Sequence, residues 1–136
     1  MKLFKTEHAE IVYNSRKKQI VQKWRGFVPS DTFKKALEIT SEFIENNDVI
    51  SLISDTSEQR AVSPADVITA TQYLESYYKN GLLTMAFVLP EDVFTQMSLK
   101  KFEQTQTQPQ TKSNLSFFRS SEAAKKWMKN IESKII

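Results

Sequence analysis

Val49-Ile50-Ser51-Leu52-Ile53, then the polar stretch Ser54 to Val62, then Ser63-Pro64-Ala65-Asp66, is the passage whose reading decides the fold. The first five residues are apolar on both alternating faces, which is how a strand covered on both sides reads, and such strands lie in the middle of parallel sheets. The polar stretch, Asp55, Thr56, Ser57 and Arg60 among it, reads as a loop. Ser63-Pro64 has the order of an N-cap followed by a first-turn proline, so a helix opens there. It carries Val67, Ala70, Thr71, Leu74, Tyr77 and Tyr78 at helical spacing and ends at Gly81.

Working outward, Leu82 to Leu89 is the most apolar run and reads as a second central strand stopped by Pro90. Upstream, two β-like runs over 10–14 and 19–25 flank Asn14-Ser15-Arg16-Lys17-Lys18 and read as a hairpin closed by turn formers. A helix over 30–46, with Ser30 as its expected cap, presents Phe33, Ala36, Leu37, Thr40, Phe43 and Ile44 on one face. Downstream, Pro90-Glu91-Asp92 opens a helix expected over 91–103, Leu115 to Phe118 is a short strand, and Ser120 caps a last helix with Ala124, Trp127, Met128, Ile131 and Ile135 on its face. Residues 104–114, rich in Gln and Thr, contain no apolar side chain to offset the entropy of ordering, so a mobile loop is expected there.

After the hairpin every strand is reached through a helix, which makes neighbouring strands parallel. The expected architecture is therefore α/β, a single domain over 1–136 with a five-stranded, mostly parallel mixed sheet packed by four helices. Its 136 residues fit one core. Nineteen basic against sixteen acidic residues, interspersed, describe a solvated surface and not a nucleic-acid footprint. The absence of cysteine rules out disulfides and thiolate chemistry and fits a reducing compartment such as the cytoplasm. No signal-peptide pattern and no run approaching the roughly eighteen apolar residues of a membrane span occur.

Catalytic patterns are missing. The lone His8 lies in the charged amino-terminal segment, where it reads as solvated, so no serine has a histidine relay. Two glycines leave no phosphate-cradling loop, and no metal cluster or cofactor motif can be assembled. The carboxyl rim of the sheet is where ligands of parallel sheets collect. It gathers Asp55, Thr56, Ser57, Arg60 and Ser63 from the first loop, Glu91 and Asp92 from the second, and Arg119, Ser120 and Ser121 from the third. Hydroxyls and acids at helix starts are also ordinary caps, which leaves Asp55 and Arg60 as the stronger functional candidates.

Four stretches resemble the STAS (anti-sigma-factor antagonist) superfamily, in its SpoIIAA-like branch related in fold to CRAL-TRIO domains. They are Gln19-Ile20-Val21-Gln22-Lys23-Trp24-Arg25-Gly26-Phe27, the strand ending in Asp55, Leu89-Pro90-Glu91-Asp92-Val93-Phe94, and Ala123-Ala124-Lys125-Lys126-Trp127. The resemblance covers nearly the whole chain and implies a non-enzymatic regulatory module. The family's phosphoacceptor pattern, Asp-Ser-Ser/Thr-Gly, is replaced here by Val62-Ser63-Pro64-Ala65-Asp66, in which only Ser63 keeps a hydroxyl. A phosphate on Ser63 would face the like charge of Asp66, so Ser63 reads as a cap and not as a switch.

Two functions are expected of such a chain. The first is a protein-interaction module, in signalling for instance, that binds a protein partner through its rim or sheet edge, with self-association compatible. The second is a carrier of a small apolar ligand or lipid in a pocket lined by Trp24, Tyr73, Tyr77, Phe87 and Phe94. The interaction module is favoured, because no long unpaired apolar stretch is available to cover a pocket.

Overall fold

The computed structural model describes residues 1–93 and 114–135. Along the chain it places β1 (Lys2–Lys5), β2 (Ala9–Asn14), β3 (Gln19–Gly26), α1 (Ser30–Asn46), β4 (Ser51–Gln59), α2 (Pro64–Lys79), β5 (Thr84–Val88), β6 (Asn114–Phe118) and α3 (Ser121–Ile135), with residues 91–93 helical as well. One mixed sheet has the order β1-β2-β3-β4-β5-β6. The first two pairings are antiparallel, and β3 with β4, β4 with β5 and β5 with β6 are parallel. The fold class is thus α/β as expected. The expected helix over 91–103 and mobile loop over 104–114 fall outside the described residues, apart from 91–93 and Asn114, which belongs to β6.

The sheet has six strands where five were expected. The extra one is β1, formed by Lys-Leu-Phe-Lys at the amino terminus. Thr6 makes it possible, because its Oγ1 accepts from the amides of both His8 and Ala9 and so closes the turn into β2. Leu3 and Phe4 then pack against the core. His8 is accordingly not free in solvent. Its Nδ1 lies 3.0 Å from the carbonyl oxygen of Arg25, which accepts the proton of the Nδ1–H tautomer, and it sits beside Gly26. Gly26 has φ +65, a left-handed conformation that ends β3 without Cβ strain.

Strand β4 is covered on both faces, as its sequence predicts. Leu52 belongs to the core under α1 and α2, and Ile53 to a second cluster with Ala86, Val88, Ala124 and Met128 under α3. Helix α1 buries the expected stripe, with Phe33, Ala36, Leu37, Thr40 and Ile44 inside and the Phe43 ring tilted against that of Tyr13 at 4.6 Å. Its start is different from expectation: Pro29 holds the N-cap position without a side-chain bond, and Ser30 Oγ instead donates to Asp66 Oδ2 on α2. The caps expected of Ser63 and Ser120 do form, with amides of Asp66 and Ala123 donating to their hydroxyl oxygens at 3.1 Å.

Candidate functional site

The polar stretch read as a loop from Ser54 is strand as far as Gln59. Up to Asp55 it lies between two partners, with Lys23 and Val88 beside Asp55. At that point the pairing with β5 ends, while the pairing with β3 continues with one residue added on the β4 side: Lys23 faces Asp55, but Arg25 faces Glu58. This is a β-bulge, which bends the strand that carries the extra residue. Asp55 holds it, since its Oδ1 accepts from Ser57 N at 3.0 Å and from Ser57 Oγ at 2.6 Å. Thr56 Oγ1 reaches across to donate to the carbonyl of Val88 at 2.8 Å. Glu58 is then anchored across the strands by Arg25 and Lys23.

Beyond the bulge β4 and the chain that follows β5 part, and the gap opens a cavity of about 610 Å³ between the sheet and the two helices above it. That volume falls within the roughly 300–1,000 Å³ of small-molecule sites. Its floor is Trp24, Ser54, Met85 and Phe87 on the strands, with Phe117 beyond. Its roof is Phe33 and Leu37 on α1 and Val67, Ala70, Thr71, Leu74 and Tyr77 on α2. Two chain segments flank it, Gln59 to Val62 on one side and Leu89, Pro90 and Val93 on the other. The stripe of α2 that sequence assigns to core packing is therefore only fully buried at Tyr77, and Val67 near its start is 52% exposed.

The polar groups in this wall are already engaged. Trp24 Nε1 donates to Ser54 Oγ at 3.0 Å, Gln22 Nε2 to Thr40 Oγ1 at 3.0 Å, and Tyr77 OH to the carbonyl of Leu37 at 3.2 Å. Thr71 Oγ1 turns back to the carbonyl of Val67. Among the described residues no buried side-chain nitrogen or oxygen is left without a partner. Burial pushes the Tyr77 hydroxyl pKa well above its usual value, against the smaller opposing effect of hydrogen bonds with Gln22 and Thr40. It stays a neutral phenol at physiological pH, and among the described residues no charged side chain is buried.

The residues singled out from the sequence divide accordingly. Trp24, Tyr77 and Phe87 line the cavity together. Tyr73 lies outside it, its ring 6.5 Å from that of Tyr77 and its hydroxyl pKa raised, first by burial and then by neighbouring Glu38. Phe94 is outside the described residues. Of the rim set, Thr56 and Arg60 reach the cavity. Asp55 and Ser57 shape the bulge, Ser63 caps α2, Asp92 is exposed, and Glu91 and Arg119 face each other at 3.8 Å on the surface. Sequence reasoning missed Ala61 and Val62, and it read Val67 as part of a packed helix stripe rather than of a cavity wall. The signal was there in Ala61-Val62, an oily pair in a connection between a strand end and a helix cap, where nothing in the core could receive it.

No protein-family model matches the chain, and no curated protein matches it. Among the described residues no helix is long and apolar enough to cross a membrane.

Proposed function

We infer that this chain is a non-catalytic binding domain of STAS type whose cavity between the sheet and α1/α2 holds a small apolar molecule. One observation carries the reading: about 610 Å³ of space walled by aromatic and aliphatic side chains whose polar neighbours are already hydrogen-bonded to one another. Such a wall gains free energy from excluding water and offers a polar guest few partners. The STAS-type assignment is supported by the four stretches that resemble the family and by the order of strands and helices along the chain. The experiment is native mass spectrometry of gently purified protein together with titration by N-phenyl-1-naphthylamine, an uncharged apolar fluorophore. A retained non-protein mass that the fluorophore displaces is expected. Protein that carries no extra mass and leaves the fluorophore unbound would sink the proposal.

A protein partner is the second reading, and the exposed apolar side chains of Val62, Val67 and Val93 around the opening favour it. Such a partner would insert a side chain where the first reading puts a ligand, so soluble fluorophore and partner would compete.

A further inference from the structure

Among the described residues the cavity has one cationic group in its lining, Arg60, and its position bears on which apolar molecule would fit. Arg60 follows directly on β4, and its amide donates to the carbonyl of Gly26 at 2.9 Å, which fixes the backbone at the edge of the opening. Its side chain is exposed, with the guanidinium carbon 6.0 Å from the centre of the Phe27 ring. That aromatic face supports the flat cation and restricts where it swings. Among the described residues Arg60 makes no ion pair within 4.0 Å, although acids are close in sequence. Those acids are engaged elsewhere: Asp55 with Ser57, Glu58 with Lys23 and Arg25, and Asp66 with Ser30.

Two regions thus differ sharply within one cavity. The deep part, at Trp24, Met85 and Tyr77, is almost wholly inaccessible, uncharged and hydrogen-bond saturated. The outer part holds a guanidinium whose donor fork is unspent by any carboxylate among the described residues. We propose that the occupant is a single-chain amphiphile, with its hydrocarbon tail along the partly open Ala70, Leu74 and Phe87 and a carboxylate head paired with Arg60. A guanidinium matches a carboxylate in two parallel hydrogen bonds, and an uncharged head of the same size gains much less. A cationic head would be repelled.

This inference rests on the apolar-ligand reading, and the test separates the two. Dodecanoate, dodecanol and dodecylamine are titrated below their aggregation limits into wild-type protein and into Arg60→Gln, by displacement of N-phenyl-1-naphthylamine. Wild type is expected to bind dodecanoate about tenfold more tightly than dodecanol, a figure reduced for solvent screening at an exposed site. Arg60→Gln is expected to bring the carboxylate to the level of the alcohol while leaving alcohol affinity unchanged. Raising the salt concentration should weaken only the carboxylate. Equal binding of acid and alcohol by wild type, or tighter binding of the amine, overturns the head-group assignment while the apolar cavity stands. Failure of all three ligands and of the fluorophore overturns both. Because the Arg60 side chain is exposed and its fixed contact is through the backbone amide, the variant should fold, which unchanged alcohol binding verifies.

Discussion

Ala70→Leu distinguishes a real space under α2 from a packed core, because the two cases give opposite signs. Ala70 lies in the middle of α2, partly buried, and lines the cavity. Leucine adds three carbons, each stabilising by about 0.8 kcal/mol when fully removed from water. Half-burial at this position reduces the total to about 1.2 kcal/mol, and the lower helix propensity of leucine takes back about 0.2 kcal/mol. A net gain of about 1 kcal/mol follows. With an unfolding entropy of about 2.1 cal/mol/K per residue over 136 residues, that gain raises Tm by about 3–4 °C. In a filled core the same change would cost about 1–3 kcal/mol through overpacking. Urea unfolding followed by far-UV circular dichroism reads the difference as a shift in midpoint at constant slope. The variant should also bind N-phenyl-1-naphthylamine more weakly. A loss of stability of 1 kcal/mol or more, with fluorophore binding unchanged, would refute the reasoning.

Ser54→Ala removes the acceptor of Trp24 Nε1 in a buried setting, so it should destabilise by about 1–3 kcal/mol and shift the Trp24 emission, both readable in one fluorescence-monitored unfolding curve. Ser63→Ala should cost about 1 kcal/mol and Ser63→Asp less, since aspartate also caps, as measured by thermal unfolding of the three proteins side by side. Burial raises the hydroxyl pKa of Tyr77 above its usual 10.0 and that of Tyr78 to about 12. Above about pH 10 the unfolded chain therefore loses protons that the folded chain retains, and stability, level below that pH, should fall as pH rises further by up to about 1.4 kcal/mol per pH unit for each such tyrosine. Tyr77→Phe should flatten that alkaline decline, which urea midpoints collected between pH 9 and 11 would record.

How much of this was legible in the sequence depends on whether a residue's role is written in its own neighbours. Leu52 and Ile53 face opposite layers, and a run apolar on both faces says so directly. The α1 stripe and the Ser63 cap are local patterns and were likewise readable. Strand β1 was not, because four residues with an adjacent Leu3-Phe4 pair show no alternation, and only the pairing with β2 and the Thr6 turn make them a strand. The end of β4 hid for the opposite reason. From Asp55 to Gln59 its side chains are polar because a core no longer lies on both sides, so a hydrogen-bonded strand has the composition of a loop. The cavity was least legible of all. The periodicity of α2 marks which face turns toward the sheet, and it is the same whether that face touches the sheet or stands off it.

The size of the space bears on why it is open. A sealed, dry void costs about 24 cal/mol per Å³, so about 610 Å³ would cost about 15 kcal/mol, the whole net stability of an ordinary domain. The fold avoids that cost by keeping one end accessible through Arg60, Val62 and Val67. Water that enters meets a wall whose polar atoms already have partners, so it recovers few of the hydrogen bonds it leaves behind. A hydrocarbon chain faces no such loss and gains about 0.8 kcal/mol for each methylene it buries. The bulge at Asp55-Thr56-Ser57 lies at this opening: the pairing of β4 with β5 ends at Asp55, where β5 itself ends at Val88, while the pairing with β3 continues to Gln59. Thr56, inside that bulge, is itself one of the residues that line the apolar chamber.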